Sequence, residues 1–222
     1  MDTQVLIIGG GVTGTGLVRD LALRGIDCIL VEKQDLNAGA SGGNHGLLHS
    51  GARYVSSDQG SARECRAEGA LLKKMAPHCI DDTGGLFIAV EGDDEKYIAD
   101  FPQLCARCDI PVKELSIKEA RELEPVLTDK LIAAYAVKDD SIDPFKLSLE
   151  NIAQAQTLGC TLLRFTKVTG FQIKCKTIQT TRLQDTVTGE KITIKAEQVV
   201  NATGAWAGEI AALAGVKVAM IY

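Results

Sequence analysis

Three glycines near the amino terminus have the spacing that holds a dinucleotide. Gly9, Gly11 and Gly14 form a G-x-G-x-x-G pattern between a short apolar run and a helix-like segment. The first glycine permits a tight turn, the second lets a pyrophosphate approach the backbone, and the third lets the helix pack on the strand. Free N–H groups and the helix dipole then attract the phosphates. The next predicted strand ends in Glu32, at about the 20-residue spacing expected for a carboxylate that binds both ribose hydroxyls and disfavours the 2′-phosphate of NADP.

The loop that follows Glu32 decides between NAD and FAD. A simple NAD domain would continue into another crossover helix, whereas residues 38–46 are rich in glycine, and there Ser41 and Asn44 can donate to phosphate or to a flavin edge. A second small-residue turn at 201–204 offers another place for main chain to meet the cofactor. These features favour FAD, and a surface loop without a ligand is the alternative for residues 38–46.

Hydrophobic patterning predicts an α/β fold, with a Rossmann-like FAD-binding domain and a partial antiparallel α+β substrate domain. The first unit consists of strands 4–8 and 26–32 around a helix at 12–24. The predicted domains are residues 1–85 with 140–215 for FAD, residues 86–139 for substrate, and residues 216–222 as the start of a further segment. The pattern also predicts separate strands at 191–194 and 198–202, and a last strand at 216–221.

Composition excludes several classes of function. A net charge of −5 and a pI near 5.3 argue against nucleic acid as a partner. No apolar run approaches the ~20 residues that a membrane span needs. The amino terminus has no basic region and its short apolar run ends in glycines rather than a cleavage site, so no signal peptide is expected. Seven cysteines spread through helix-like and strand-like segments indicate reduced thiols in the cytosol rather than a disulfide framework.

Two further patterns resemble metal or redox motifs. His45 and His49 are four residues apart, but they lie in a glycine-rich loop with no nearby carboxylate as third ligand, so no metal site is expected. Cys105 and Cys108 have C-x-x-C spacing without a second such pair, and their segment is helix-like. Buried thiols are the favoured interpretation.

Longer runs resemble the FAD-dependent glycerol-3-phosphate dehydrogenases of the D-amino-acid-oxidase-like superfamily, most closely the catalytic subunit of the anaerobic type. They are the opening glycine pattern, Glu32, residues 39–54 (GASGGNHGLLHSGARY), residues 140–145 (DSIDPF) and residues 200–206 (VNATGAW). The resemblance covers essentially this whole chain but only the amino-terminal portion of the family's length. Its most specific part is the His-Ser-Gly-Ala-Arg-Tyr run.

The resemblance implies roles for individual residues. FAD contacts would come from Gly9, Gly11, Gly14, Glu32, Lys33, Ser41, Gly42, Asn44, Gly46, Val168 (through its backbone) and Gly204. His49 and Arg53 would lie near the flavin ring as catalytic residues, and Arg53 and Tyr54 would bind substrate. A guanidinium matches phosphate oxygens bidentately, and an imidazole can take a hydroxyl proton.

The implied reaction is oxidation of sn-glycerol 3-phosphate, or a similar small anionic substrate, to dihydroxyacetone phosphate with electrons passed to a quinone. The implied location is the cytoplasm, with peripheral attachment to the inner membrane face or to an electron-transfer subunit left open. An L-2-hydroxyacid oxidase of the 2-hydroxyglutarate type is the second interpretation. A non-catalytic FAD-binding fragment is the third.

Overall fold

The computed structural model describes residues 1–219 of the chain. The strands are β1 (Asp2–Ile8), β2 (Cys28–Val31), β3 (Leu47–Leu48), β4 (Ile80–Asp81), β5 (Gly85–Val90), β6 (Val112–Leu115), β7 (Leu131–Val137), β8 (Asp140–Ile142), β9 (Thr161–Leu163), β10 (Thr166–Lys174), β11 (Thr177–Asp185) and β12 (Lys191–Asn201). The helices are α1 (Val12–Leu23), α2 (Gln59–Met75), α3 (Glu95–Arg107), α4 (Ile117–Leu123), α5 (Pro144–Thr157) and α6 (Ala207–Leu213). Short 3-10 turns cover Ala52–Tyr54, Pro77–Cys79 and Gly204–Trp206.

The chain forms two compact units whose boundaries differ from the predicted domains. Unit 1 combines Met1–Asn44 with the chain from Pro144 onward, and unit 2 is His45–Asp143. The prediction places residues 45–85 and 140–143 with the FAD domain. They belong to unit 2 because β3 and β4 both pair with β8, which ties the two ends of this segment together.

Unit 1 is built on a six-stranded sheet in the order β10-β11-β12-β1-β2-β9. The pairs β12–β1, β1–β2 and β2–β9 are parallel, and β10–β11–β12 form an antiparallel meander at one edge. Parallel strands joined through helices are the signature of a Rossmann-like unit, so the predicted α/β class is confirmed. The carboxyl ends of β1 and β2 meet at the edge where the glycine turn begins.

The continuous apolar run in β1 follows from burial on both faces of this sheet. Val5 and Ile7 pack in one core with Val18 of α1. Leu6 and Ile8 point to the opposite face, because successive side chains of a strand alternate, and they join a second core with residues of the meander. This arrangement holds the start of α1 rigidly against the end of β1.

The two strands predicted at 191–194 and 198–202 are one continuous strand, β12. Its first part pairs antiparallel with β11, and from Lys195 onward it pairs parallel with β1. Lys195 and Glu197 are exposed and break the apolar pattern. Backbone pairing passes from β11 to β1 at this point and so continues the strand through the polar positions, which a hydrophobicity pattern cannot register.

Unit 2 contains two three-stranded antiparallel sheets, β3-β8-β4 and β5-β7-β6. The sheet β5-β7-β6 is antiparallel, as expected for residues 86–139. The sheet β3-β8-β4 was not predicted, since strands of two or three residues carry no periodic signal. It fixes the loop that leads from Leu48 to the 3-10 turn Ala52–Tyr54.

The carboxy-terminal end of the described chain differs from the prediction. Residues 216–219 have no regular secondary structure, so the strand predicted at 216–221 is absent there. Residues 220–222, which are the rest of the predicted segment 216–222, lie outside the described residues. Within residues 1–219, no helix is long and apolar enough to cross a membrane.

Candidate functional site

The turn between β1 and α1 in unit 1 requires glycine at two positions. Gly9 adopts φ +113°, and a Cβ there would lie 2.5 Å from the backbone oxygen of Ala202. A Cβ on Gly14 would lie 1.9 Å from the backbone oxygen of Gly9. Side chains at these positions would push α1 away from the sheet. The glycines therefore allow close approach of β1, α1 and the end of β12, as the pattern predicts.

The first amide of α1 meets a side chain from the glycine-rich loop. The helix begins after Gly11, which offers no side-chain cap. The Ser41 hydroxyl oxygen instead accepts a hydrogen bond from the Val12 N–H at 2.9 Å. A helix start has several such amides and a positive dipole end, so an anionic oxygen is also favoured there. Gly11 and Ser41 thus sit together where a pyrophosphate is expected.

Glu32 is half-buried and its carboxylate is already bound to main chain. One oxygen accepts from the Gly10 N–H at 2.7 Å, and the other accepts from the Gln34 N–H at 2.8 Å. Each carboxylate oxygen has a second lone pair and can accept a further donor such as a ribose hydroxyl. Glu32 therefore shapes the turn itself, a structural role that the spacing alone did not reveal.

These elements surround a cavity of about 420 Å³ that lies wholly in unit 1. Its size is within the usual range of small-molecule sites, about 300–1,000 Å³. The predicted cofactor residues that line it are Gly9, Gly11, Glu32, Lys33, Ser41, Val168 and Gly204.

Sequence reasoning assigned no role to Trp206, which also lines the cavity. The Lys33 ammonium lies 3.9 Å from the centroid of the Trp206 ring, a cation–π contact that holds one wall in place. A Cβ on Gly39 would lie 2.9 Å from the same ring. A signal was present, since Trp206 is the only tryptophan of the chain and follows the small-residue turn at 201–204.

Four of the predicted cofactor residues are not on the cavity wall. Gly14 lies beneath the turn. Gly42 packs so closely that a Cβ would lie 2.3 Å from the backbone oxygen of Asn37. The Asn44 amide donates to the Ser41 backbone oxygen at 2.6 Å. Gly46, with φ +69°, belongs to unit 2. Their contacts indicate that Gly14, Gly42 and Asn44 stabilise the conformation of the backbone around the cavity.

In unit 2, the His49 ring forms a hydrogen bond with the buried carboxylate of Asp139. Its Nδ1 lies 2.9 Å from Asp139 Oδ2, and Asp139 is 4% exposed. The other oxygen of Asp139 accepts from the Ser50 N–H at 2.7 Å and from the Ser50 hydroxyl at 2.6 Å. Burial by itself would raise the pKa of Asp139, but the hydrogen bonds from Ser50 and then His49 outweigh it, and the pKa is lowered. Asp139 is thus a carboxylate at neutral pH.

Arg53 and Tyr54 lie on the 3-10 turn that follows Gly51. Gly51 has φ +96°, and a Cβ there would lie 2.2 Å from the Ala62 backbone oxygen, so this turn also needs glycine. Arg53 is exposed and has no hydrogen bond or ion pair to any residue within 1–219. Tyr54 is half-buried and packs on the core of unit 2. The arginine is available for an anion, whereas the tyrosine ring is partly used in packing.

The histidines and cysteines do not form a metal centre in the described part of the chain. The rings of His45 and His49 are in edge-to-face contact, with centroids 5.1 Å apart. No group of three or more possible metal-ligating side chains occurs within residues 1–219. None of the seven cysteines forms a disulfide within residues 1–219. Cys105 and Cys108 are fully buried, which confirms the prediction of buried thiols, and burial raises the pKa of Cys105 to about 11.

The fold of unit 1 and the turn formed by Gly9, Gly11 and Gly14, here called the glycine cradle, together define a class of protein. Residues 4–222 match the family of FAD-dependent oxidoreductases, and the chain belongs to this family. FAD is therefore the cofactor of the family, as predicted. The cavity fits the adenosine-diphosphate half of FAD, since the backbone of Gly9 and Gly11, the start of α1 and the carboxylate of Glu32 meet on its wall.

Comparison with an individual relative is more specific than the family match. The chain is 43% identical over 218 residues to one of the subunits of the anaerobic glycerol-3-phosphate dehydrogenase of Escherichia coli (strain K12), covering 98% of this chain and 40% of that relative. This confirms the resemblance inferred from the motifs. It also means that the chain spans well under half of the length of this relative.

Solved structures share the fold. An L-proline dehydrogenase from P. horikoshii matches with TM-score 0.83 at 28% identity, over 99% of this chain and 57% of that one. A glycerol-3-phosphate dehydrogenase from Bacillus halodurans, solved in complex with FAD, matches with TM-score 0.72 at 25% identity, over 96% of this chain and 36% of that one.

Proposed function

We propose that this chain supplies the FAD-binding part, and some substrate residues, of an enzyme that oxidises sn-glycerol 3-phosphate to dihydroxyacetone phosphate. The observation that carries the proposal is the 43% identity to part of a glycerol-3-phosphate dehydrogenase, maintained over 98% of the chain. The glycine cradle and the His49–Asp139 pair support it, since the first suits a dinucleotide and the second suits proton removal from a hydroxyl.

Unit 1 would hold the cofactor. Gly9, Gly11 and Ser41 would receive the pyrophosphate at the start of α1, and Glu32 would accept hydrogen bonds from the ribose hydroxyls. Val168 would meet the adenine through its backbone. Lys33, placed over Trp206, would close one wall of the cavity. When bound, the flavin ring supplies the hydride acceptor, and the protein supplies binding and orientation.

Residues of unit 2 would act on the substrate. Arg53 is the proposed phosphate ligand, because a free guanidinium forms paired hydrogen bonds to phosphate oxygens. Tyr54 would stand beside it. His49 would accept the hydroxyl proton through Nε2, which is buried and has no hydrogen-bond partner within residues 1–219.

The Escherichia coli relative is named as one of several subunits, which implies partner chains in that enzyme. We propose the same arrangement here, with electrons leaving through a partner chain towards a quinone. Such an enzyme would work in the cytoplasm, attached peripherally to the inner face of the membrane through that partner. A pull-down of the native protein that recovers no partner chain would contradict this part of the proposal.

Purification of the full-length gene product tests the cofactor and the substrate together. We expect a yellow protein that releases FAD on heating, and an absorption band that bleaches when glycerol 3-phosphate is added without oxygen. Release of FMN, or of no flavin, would contradict the cofactor assignment. Bleaching by 2-hydroxyglutarate but not by glycerol 3-phosphate would favour the hydroxyacid oxidase. Bound FAD that no substrate reduces would leave a non-catalytic binding protein.

Replacing Glu32 with alanine should weaken FAD binding tenfold or more. Charge-assisted hydrogen bonds contribute roughly 1.5–3 kcal/mol each, and about 1.4 kcal/mol corresponds to tenfold. The same change leaves the amides of Gly10 and Gln34 without their acceptor, so the apoprotein should also lose stability. Fluorescence titration with FAD and thermal unfolding measure the two effects.

The matched control is Glu197→Ala, which removes an exposed glutamate from β12. It should change neither the FAD dissociation constant nor the melting temperature by a measurable amount. An unaltered dissociation constant in the Glu32 variant would show that its carboxylate only shapes the turn.

A further inference from the structure

Asp139 is the carboxylate on which the orientation of His49 depends. It lies between β7 and β8, almost fully buried, and its two oxygens have different partners. Oδ1 accepts two hydrogen bonds from Ser50, and Oδ2 faces His49 Nδ1 at 2.9 Å. Neither Asp139 nor Ser50 is among the residues that the sequence singles out for a role.

The backbone of Ser50 determines which end of Asp139 faces the histidine. A main-chain N–H can only donate, so the atom at the Oδ1 position must be an acceptor. Oδ2 is then left for His49. An ionised carboxylate only accepts, so the hydrogen of the neutral imidazole must be on Nδ1. The lone pair is then on Nε2, the buried nitrogen without a partner among the described residues.

We propose that Asp139 is a positioning residue that holds His49 in the Nδ1–H tautomer, so that Nε2 can accept the proton of the substrate hydroxyl. This rests on the proposed function for the identity of the substrate. In the step, the O–H bond of the substrate breaks and an Nε2–H bond forms. The imidazolium charge that results is balanced by the Asp139 carboxylate. The electron pair of the broken O–H bond forms the carbonyl as the carbon that carries the hydroxyl gives up a hydride, for which bound FAD would supply the acceptor.

Asparagine at position 139 separates this role from a merely structural one. Its side chain has the size of aspartate, and its oxygen must face Ser50 because the Ser50 amide needs an acceptor. Its NH₂ group is then directed at His49 Nδ1 and donates to it. This forces the hydrogen onto Nε2 and removes the lone pair, so the fold is kept while the tautomer changes. The analogous aspartate-to-asparagine change in serine proteases lowers kcat about 10⁴-fold through the wrong tautomer.

The experiment uses full-length protein with ¹⁵N-labelled histidine, and the His49 ring signals are assigned by their loss in His49→Gln. In the wild type we expect the Nδ1–H tautomer, and in Asp139→Asn the Nε2–H tautomer. We expect kcat for glycerol 3-phosphate to fall by about 10²–10⁴-fold with KM and FAD content little changed. Ser50→Ala keeps the backbone donor, so its tautomer should match the wild type.

Asp140→Asn is the matched control, since it makes the same change at the next residue. Asp140 is also buried, but it pairs with Lys73 rather than with His49. Its variant should lose stability and keep the Nδ1–H tautomer. An Nε2–H tautomer in the wild type would overturn the inference, whatever the folding of the variant. An unchanged tautomer in a folded Asp139→Asn variant would overturn it as well. The ring signals do not depend on substrate, so a wild type with the expected tautomer that fails to oxidise glycerol 3-phosphate would contradict the proposed function instead.

Discussion

Alanine in place of Gly14 should destabilise the protein and abolish FAD binding. The added Cβ would lie 1.9 Å from the Gly9 backbone oxygen, a contact that only movement of α1 away from β1 can relieve. Overpacking of this kind typically costs about 1–3 kcal/mol, and a rigid backbone neighbour puts the change at the upper end. For a chain of this size, that corresponds to a melting temperature lower by roughly 6–12 °C. Thermal unfolding and flavin content of the purified variant measure both effects.

Gly16 provides a control within the same helix. A Cβ on Gly16 would have nothing within 4 Å, so alanine there adds no contact. Because alanine is favoured over glycine in a helix by about 1 kcal/mol, Gly16→Ala should raise stability slightly and leave FAD binding intact. Equal effects at both positions would show that Gly14 is an ordinary helical glycine.

Replacement of Arg53 with alanine should lower kcat/KM for glycerol 3-phosphate by about two orders of magnitude. Loss of a charged contact to phosphate costs roughly 2–4 kcal/mol. Lysine should restore only part of the loss, because it keeps the charge without the fork of paired donors. FAD content should stay constant in both variants, since this arginine is proposed to bind substrate. Steady-state kinetics of the full-length enzyme with glycerol 3-phosphate and with glycerol measure the effect.

Glycerol, which has no phosphate, should be oxidised equally slowly by wild type and variant. Arg107→Ala removes another exposed arginine of unit 2, at the end of α3, and should leave kcat/KM near that of the wild type. If the Arg53 and Arg107 variants behave alike, Arg53 is a surface residue and the substrate assignment fails.

Much of unit 1 could be predicted because its signals are local. The spacing of Gly9, Gly11 and Gly14, the apolar run of β1 and the acid at Glu32 lie within one strand–turn–helix–strand segment, and each reflects a requirement of neighbouring residues. The same holds for α1, since the helix predicted at 12–24 agrees with Val12–Leu23 to within one residue. Periodicity and turn chemistry suffice where the chain contacts itself nearby.

Pairing between distant segments could not be predicted in this way. The unit boundary near residue 45 depends on β3 and β4 meeting β8, strands too short to leave a pattern. The continuity of β12 depends on two separate partners, since β11 pairs with its first part and β1 pairs with it from Lys195 onward. A hydrophobicity pattern reports which residues are buried, whereas the partner that buries them is set by the tertiary fold.

The features of the candidate site likewise fall into those that local sequence signals predict and those that depend on contacts between distant segments. The sequence by itself predicted the glycine turn for a dinucleotide and the choice of FAD, because those residues have specific types and spacing. It offered His49 and Arg53 as candidates through the resemblance of residues 39–54 to a known family. Only the tertiary structure showed that Asp139, 90 residues away in the chain, meets His49, and that Lys33 meets Trp206 across the cavity. Both contacts join residues that are remote in the sequence. The residues that neighbour such a side chain along the chain do not reveal which distant residue it contacts.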